Sequence, residues 1–341
     1  MAGLRESLDP TKPDRCPEPA LSPGLARFPK FRLGFFPTPL QEMAALGRKM
    51  GHGKLYVKRD DLTGLSLGGN KTRSLQYLIG DALYKSADTV ITSGGLQSNL
   101  CSLTAAACAK AGLRCILVHN DDPPSDLRGN MLLSHMFGAR TVYLGKVSEE
   151  ARSQAVEEIA DGLSRLGNRP YVIRNGASTP LGALGYVDAA FELHRQDPSL
   201  RHVAIVGAMG GTASGFVFGA CLLSGPFRVH VISVEYPAGE LRRRMNALIE
   251  GLKDLTGLHL PTSPENIMTI YDEYLGEGYG IPTPESLSLS RDLPSLEGIF
   301  LDSVYNAKTF AGSLDLIRRG VIPTEEPACF IHTGGMATLF T

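Results

Sequence analysis

Four short segments hold residues whose types and spacing suit chemistry. The first, Gly68-Gly69-Asn70-Lys71-Thr72-Arg73, follows the charged run Lys58-Arg59-Asp60-Asp61 and opens a helical pattern from Ser74. Its glycines let another group approach the backbone, and its lysine sits at a loop-to-helix junction. Taken alone, the segment reads as a turn carrying a solvated lysine. The second, running from Val206-Gly207-Ala208-Met209 through Gly210-Gly211-Thr212-Ala213-Ser214-Gly215, follows an apolar strand and leads into a helix. Free amides and the dipole of a helix start favour an anion there, and two hydroxyls add donors. It lacks the Gly-Lys-Ser/Thr of a nucleotide loop, and its glycines do not fit the dinucleotide pattern. Phosphate without a nucleotide is the better reading, with a purely structural turn still open.

The third segment, Ser93-Gly94-Gly95-Leu96-Gln97-Ser98-Asn99, lies between a strand and an Ala-rich helix. Its polar groups converge on a helix start, which suits a carboxylate or a cofactor oxygen. A plain N-cap by Ser98 or Asn99 explains the same residues. The fourth is His332-Thr333-Gly334-Gly335, at the end of a C-terminal apolar strand. His332 on its own reads as a satisfied core histidine. No G-x-S-x-G elbow, H-E-x-x-H pair or nucleotide loop is present. A junction lysine, a phosphate cup, a carboxylate-binding loop and a terminal Thr-Gly-Gly are together the parts of a pyridoxal-phosphate site.

These segments must be positioned by regular elements. Apolar, β-branched runs at 89–93, 115–119, 140–144, 171–174, 203–207 and 229–234 predict strands, with helical patterns at 100–111, 182–195, 215–223 and 240–252. The alternation argues for an α/β protein with parallel sheets. Sheet-forming blocks over 75–185 and 190–341 point to two lobes with a cleft between them. Residues 1–36 read as an irregular arm, since Pro10, Pro13, Pro17, Pro19 and Pro23 exclude a regular helix, with folded structure beginning near Pro37-Thr38-Pro39.

Composition narrows the function classes. With 34 basic and 35 acidic residues among 341, no global field favours nucleic acid or a membrane surface. The basic cluster Arg242, Arg243, Arg244 reads as a solvated helix face. Six cysteines without C-x-x-C spacing read as buried thiols, not as a disulfide framework or metal site. No apolar stretch reaches the roughly 20 residues of a membrane span, and residues 1–30 lack a signal-peptide core. A cytoplasmic protein is the expectation.

From about Phe36 onward the chain resembles the ACC deaminase/D-cysteine desulfhydrase family of the tryptophan-synthase-β-like (fold type II) pyridoxal-phosphate enzymes. The likeness rests on Pro37-Thr38-Pro39-Leu40, Lys58-Arg59-Asp60-Asp61-Leu62, the 68–73 segment, Gln97-Ser98-Asn99 and Arg169-Pro170-Tyr171-Val172-Ile173. It continues through Leu181-Gly182-Ala183-Leu184-Gly185-Tyr186, Gly278-Tyr279-Gly280, Leu296-Glu297-Gly298-Ile299, Val304-Tyr305 and the 332–335 segment. The resemblance implies a two-lobed α/β fold with pyridoxal 5'-phosphate in the cleft. It places 37–73 plus 187–341 in the larger, cofactor-binding domain and 74–186 in the smaller one, and it implies a homodimer. It also implies roles for particular residues. Lys71 forms the Schiff base and moves protons at the substrate carbon. Ser98 stands near the substrate's α-carbon, and Asn99 bonds the cofactor's ring oxygen or the substrate carboxylate. Asn70 flanks the lysine, while Gly210, Gly211, Thr212, Ala213 and Ser214 form the phosphate cup. Tyr279 and Tyr305 match active-site tyrosines, although each also reads as wall packing.

The departures bear on substrate. Met209 stands where the family carries Ser or Thr at the start of the cup, and Ser74 where a second lysine is common. Leu100-Cys101-Ser102 replaces a polar residue and arginine after the substrate loop. Asn306 occupies the position of a Glu in ACC deaminases and a Thr in desulfhydrase-like members, with Thr333 beside it. A neutral residue there favours α,β-elimination over ring-opening of a cyclopropane. The implied function is a lyase or deaminase acting on a small amino acid, D-cysteine desulfhydrase-like, releasing pyruvate and ammonia. The competing readings are an ACC deaminase, a diverged enzyme of β- or γ-replacement, a catalytically silent cofactor-binding protein, and a plain phosphate-binding module.

Overall fold

The computed structural model describes residues 24–341, so Cys16 and most of the proline-rich arm lie outside the described residues. Strands β1 (Leu40–Glu42) and β2 (Leu55–Arg59) begin one sheet. The chain then builds a second, four-stranded sheet from β3 (Thr89–Ser93), β4 (Arg114–His119), β5 (Arg140–Tyr143) and β6 (Pro170–Ile173), in the order β5-β4-β3-β6. It returns to the first sheet with β7 (His202–Gly207), β8 (Arg228–Ser233), β9 (Met268–Tyr271) and β10 (Ala328–His332), giving the order β1-β2-β10-β7-β8-β9. Only β1 runs antiparallel. Parallel strands covered on both faces need apolar runs rather than alternation, and β3 and β7 are buried at every residue.

The helices are α1 (Ala44–Met50), α2 (Lys71–Tyr84), α3 (Asn99–Ala111), α4 (Gly129–Met136), α5 (Glu149–Arg165), α6 (Pro180–Gln196), α7 (Gly211–Leu222), α8 (Ala238–Thr256), α9 (Pro264–Ile267), α10 (Pro284–Glu297) and α11 (Asn306–Arg318). The fold is α/β with parallel sheets flanked by helices, as the strand pattern implies. Helix α7 begins at Gly211, four residues before the pattern suggests, because Gly210 adopts φ 94° and turns the strand exit directly into the helix.

Two features were not legible in the pattern. Residues 24–36 form no helix or strand, yet Leu25 and Leu33 are buried in the two main cores, so packed chain begins well before Pro37. The boundary expected at 186/187 falls inside α6, whose Ala183, Leu184, Tyr186, Val187, Ala190 and Leu193 all join the larger core. We propose that the smaller unit ends in the loop between β6 and α6.

Helices α6 and α7 touch backbone to backbone. A methyl group added at Gly215 would meet the Ala183 carbonyl oxygen at 2.1 Å, and one at Gly219 would meet the Val187 carbonyl oxygen at 2.8 Å. Gly215→Ala is therefore expected to separate the helices and destabilise the protein by about 1–3 kcal/mol. The check is the thermal unfolding midpoint, which should fall.

Candidate active site

The site is built on a buried ion cluster beneath the start of α2. Arg73 is 2% exposed and makes two forked pairs. Its Nε and Nη2 donate to Asp60 at 2.7 and 2.8 Å, and its Nη1 and Nη2 donate to Glu192 at 3.0 and 2.8 Å. Tyr186 donates to Asp60 at 2.7 Å, while Lys58 pairs with Glu192 and donates to Gln196 at 2.6 Å. Burial raises the Asp60 pKa, but the charge and hydrogen bonds of Arg73, with Lys58 and Tyr186, outweigh it and hold the carboxyl at about 2. Two cations thus balance two anions out of water.

Two residues before Arg73, Lys71 opens α2, and its Nζ donates to the Gly176 carbonyl at 2.7 Å. Burial brings its pKa down to about 8, partly opposed by the negative charge of Glu235. The preceding loop is fixed at both glycines. A methyl at Gly68 would lie 1.8 Å from the Asp61 carbonyl oxygen, and Gly69 sits at φ 130° against Thr333 and Gly334. The Asn70 amide donates to the Thr333 carbonyl at 2.9 Å, and the Asn70 side chain donates to Thr212 Oγ1 at 2.9 Å. Asn70 therefore ties the lysine to the first turn of α7.

At that turn the amides of Gly211, Thr212 and Ala213 precede any intrahelical acceptor, while the Ser214 amide returns to Gly210 at 2.8 Å. The hydroxyl of Ser214 points elsewhere, to the Met245 carbonyl at 3.4 Å, and Met209 receives the Tyr236 hydroxyl at its Sδ. The cup offers backbone amides and Thr212, not the two hydroxyls expected.

Ser98 caps α3, accepting the Cys101 amide at 3.3 Å, which leaves its hydroxyl hydrogen available. Asn99 accepts from Asn130 at 2.8 Å. Beneath them the buried His119 bonds the Gly94 carbonyl through Nδ1 at 2.8 Å. Cys101 is no rival nucleophile, since burial pushes its thiol up to about 12.

Tyr279 and Tyr305 meet hydroxyl to hydroxyl with rings 5.9 Å apart. Burial, then Tyr279, drives the Tyr305 pKa well above the usual phenol value, so it stays protonated. Asn306 is saturated. Its Nδ2 donates to Asp302 and to the Gly334 carbonyl at 2.7 Å, and its Oδ1 accepts the Thr333 amide at 2.8 Å and the Thr333 hydroxyl at 3.1 Å. Thr333 is left as the group with spare capacity. His332 is a core histidine, bonded to the Phe300 carbonyl and the Gly334 amide.

The chain matches the family model described as pyridoxal-phosphate dependent enzyme over residues 31–334. It belongs to that family. It is 40% identical over 318 residues to a putative 1-aminocyclopropane-1-carboxylate deaminase of Pyrococcus horikoshii, covering 93% of this chain and 94% of the relative. It is 36% identical over 324 residues to a D-cysteine desulfhydrase of Yersinia enterocolitica, covering 93% and 96%. A crystal structure of an ACC deaminase homologue superposes with a TM-score of 0.86 at 37% identity, covering 94% of this chain and 96% of that one. An O-ureido-L-serine synthase, at 18% identity and TM-score 0.65, shares the fold.

This pyridoxal-phosphate dependent lyase or deaminase has the donor set its cofactor requires. A lysine amine with a lowered pKa and the free amides of a helix start stand on segments that Asn70 joins, and Gly211 lets that helix start pack on Ser178, whose hydroxyl would lie 2.9 Å from an added methyl. Sequence reasoning singled out Lys71 and the cup but missed Asp60, Glu192, Gly176, Asn130 and Glu235. The charged run at 58–61 was the one available signal, and it named no partner.

Capture of the cofactor's carbonyl needs the neutral amine. Since the Lys71 pKa is lowered to about 8, cofactor uptake by the cofactor-free protein should accelerate as pH rises through about 8. Glu235→Gln removes the charge that favours the ammonium, so its midpoint should move to lower pH. Stopped-flow absorbance of uptake against pH checks both.

Proposed function

We propose that this enzyme catalyses α,β-elimination on a small amino acid with a β leaving group, of the D-cysteine desulfhydrase kind, yielding pyruvate and ammonia. The observation that carries the reading is the uncharged pair Asn306 and Thr333, which bond each other; among the described residues no carboxylate side chain bonds Thr333, and Asp302 bonds Asn306 behind it instead. The similarity to the Yersinia desulfhydrase supports it, and the similarity to the Pyrococcus deaminase keeps ACC ring-opening as the second reading. A homodimeric, cytoplasmic enzyme accompanies the proposal; Phe35, Leu62 and Leu67 expose apolar side chains that a second copy would cover. Among the described residues no helix is long and apolar enough to cross a membrane.

Lys71 would hold the cofactor's carbonyl carbon. The amides at Gly210, Gly211, Thr212 and Ala213 would face its phosphate, Thr333 its ring nitrogen, and Asn99 an oxygen anion, with Ser214 spent on the helix itself. When bound, the cofactor supplies an electron sink that stabilises negative charge at the substrate's α-carbon. Lys71, with its pKa brought down to about 8, is suited to take the α-proton and return it. Ser98, the cap of α3, would offer a hydroxyl hydrogen as a further donor. Tyr305, held protonated, is a donor toward the departing β-group, and the Tyr279 hydroxyl keeps it in place. Lys308 anchors this tyrosine pair by donating to the Leu275 and Gly278 carbonyls at 2.7 and 2.8 Å.

Incubation of the purified holoenzyme with D-cysteine should release pyruvate and sulfide, while ACC should release little 2-oxobutyrate; the reverse ranking would transfer the proposal to the second reading. Tyr305→Phe should lower turnover by about 10²–10⁴-fold, as for loss of a positioned acid, while leaving the cofactor's visible band intact.

A further inference from the structure

Asn130, the second residue of α4, is 2% exposed and uses its polar groups on the loop that carries Ser98 and Asn99. Its main-chain amide donates to Gln97 Oε1 at 2.9 Å. Its Nδ2 donates to the Gln97 carbonyl at 2.9 Å and to Asn99 Oδ1 at 2.8 Å, and its Oδ1 accepts from Ser102 at 2.5 Å. A residue that merely starts a helix has no need of these partners, since none lies on α4.

The donor and acceptor roles in this network are forced. A main-chain carbonyl can only accept, so the Asn130 atom facing Gln97 must be the NH2 group. The second hydrogen of that group then faces Asn99, which must present its oxygen. Serine can donate or accept, and completes the set by donating to Asn130 Oδ1. The Asn99 amide is thereby fixed with its own NH2 free of any partner among the described residues. The backbone in front of Asn130 is equally constrained. Gly129 sits at φ 51°, where a methyl would meet Thr341 Cγ2 at 2.5 Å and Gln97 Oε1 at 2.6 Å.

We infer that Asn130 is a positioning residue that sets the polarity of the substrate loop, locking Asn99 so that it offers an NH2 donor to an oxygen anion in the site. The anion is the amino acid's carboxylate or the cofactor's ring oxygen. This rests on the reading above that Asn99 faces the ligand. Neither Asn130 nor its orienting role follows from the four segments that mark the site in the sequence.

The test uses the holoenzyme of wild type and Asn130→Asp. The near-isosteric carboxylate places an acceptor against the Gln97 carbonyl and Asn99, so the Asn99 amide must turn over and present its oxygen to the ligand. If the anion is the carboxylate, the D-cysteine concentration that half-perturbs the cofactor's visible band should rise at least tenfold, on the scale of a lost hydrogen bond to a charged group. Cysteamine, which lacks the carboxylate, should respond as in wild type. If the anion is the ring oxygen, the band and its pH dependence should shift with no amine added. In either case Asn130→Asp should add nothing on an Asn99→Ala background. An unchanged band with unchanged responses to both amines overturns the inference, as does equal weakening toward both amines that adds fully to Asn99→Ala. Should Asn130→Asp fail to fold, Asn130→Ala removes the bond that holds the Asn99 oxygen without adding charge; it must show a loss of the same kind, absent on the Asn99→Ala background. Failure of wild type to act on D-cysteine or ACC would sink the proposed reaction instead. The network is then read by hydrogen exchange at residues 97–102, which Asn130→Asp should accelerate and which unchanged exchange would refute.

Discussion

Burying Arg73 is the constraint on which the site depends. A guanidinium out of water is tolerable only with matched carboxylates, and here Asp60 and Glu192 each take two of its N–H groups from opposite sides. Asp60 comes from the turn Asp60–Leu62 that follows β2, and Glu192 from α6. One side chain therefore locks the start of α2 to the large sheet and to the helix that carries α7. Losing one partner would strand a buried charge, a cost of about 3–5 kcal/mol. The ring of Phe36, 4.6 Å from the guanidinium, covers its open face.

The chemistry inherits its geometry from that lock. Lys71 stands two residues from Arg73, and the cup stands at the N-terminus of α7, pressed against α6 through glycines that permit carbonyl contact. Asn70 closes the triangle by reaching Thr212 with its side chain and Thr333 with its backbone. The lysine, the start of α7 and Thr333, the proposed phosphate and ring-nitrogen ends, are thus held by one loop. Around them the site is rich in donors: free amides, two phenols whose burial raises their pKa, and the lysine itself. Such a field selects anionic ligands. Glu235, itself raised by burial, is the carboxylate that tempers it at Lys71.

At the opposite end, Asn306 shows how one residue type can be correct in kind and different in use. Its neutrality is visible in the sequence. Its saturation is not, because Asp302 from the segment before α11 meets it together with Thr333 and Gly334 from the segment after β10. The group proposed to work there is Thr333, with Asn306 as the bracket that holds it.

The sequence by itself determined the alternation of strands and helices, the junction lysine, the cup and the loop at Ser98, because these are local signals. Strand burial on both faces writes continuous apolar runs, and sharp strand-to-helix exits write glycines. It also determined the neutral character of position 306. Only the tertiary structure decided what each polar residue faces. The charged run at 58–61 is a solvated face or a buried lattice depending on whether Arg73 and Glu192, 13 and 132 positions from Asp60, fold onto it. The larger core takes in α6 residues from Ala183 to Leu193, and this is the ground for placing the proposed unit boundary ahead of that helix, since packing, not strand spacing, assigns a helix to a core. Asn130 carries no signal of its own, since an asparagine at a helix start is ordinary; its meaning comes from which way a neighbouring amide must turn once a carbonyl, which can only accept, lies 2.9 Å away.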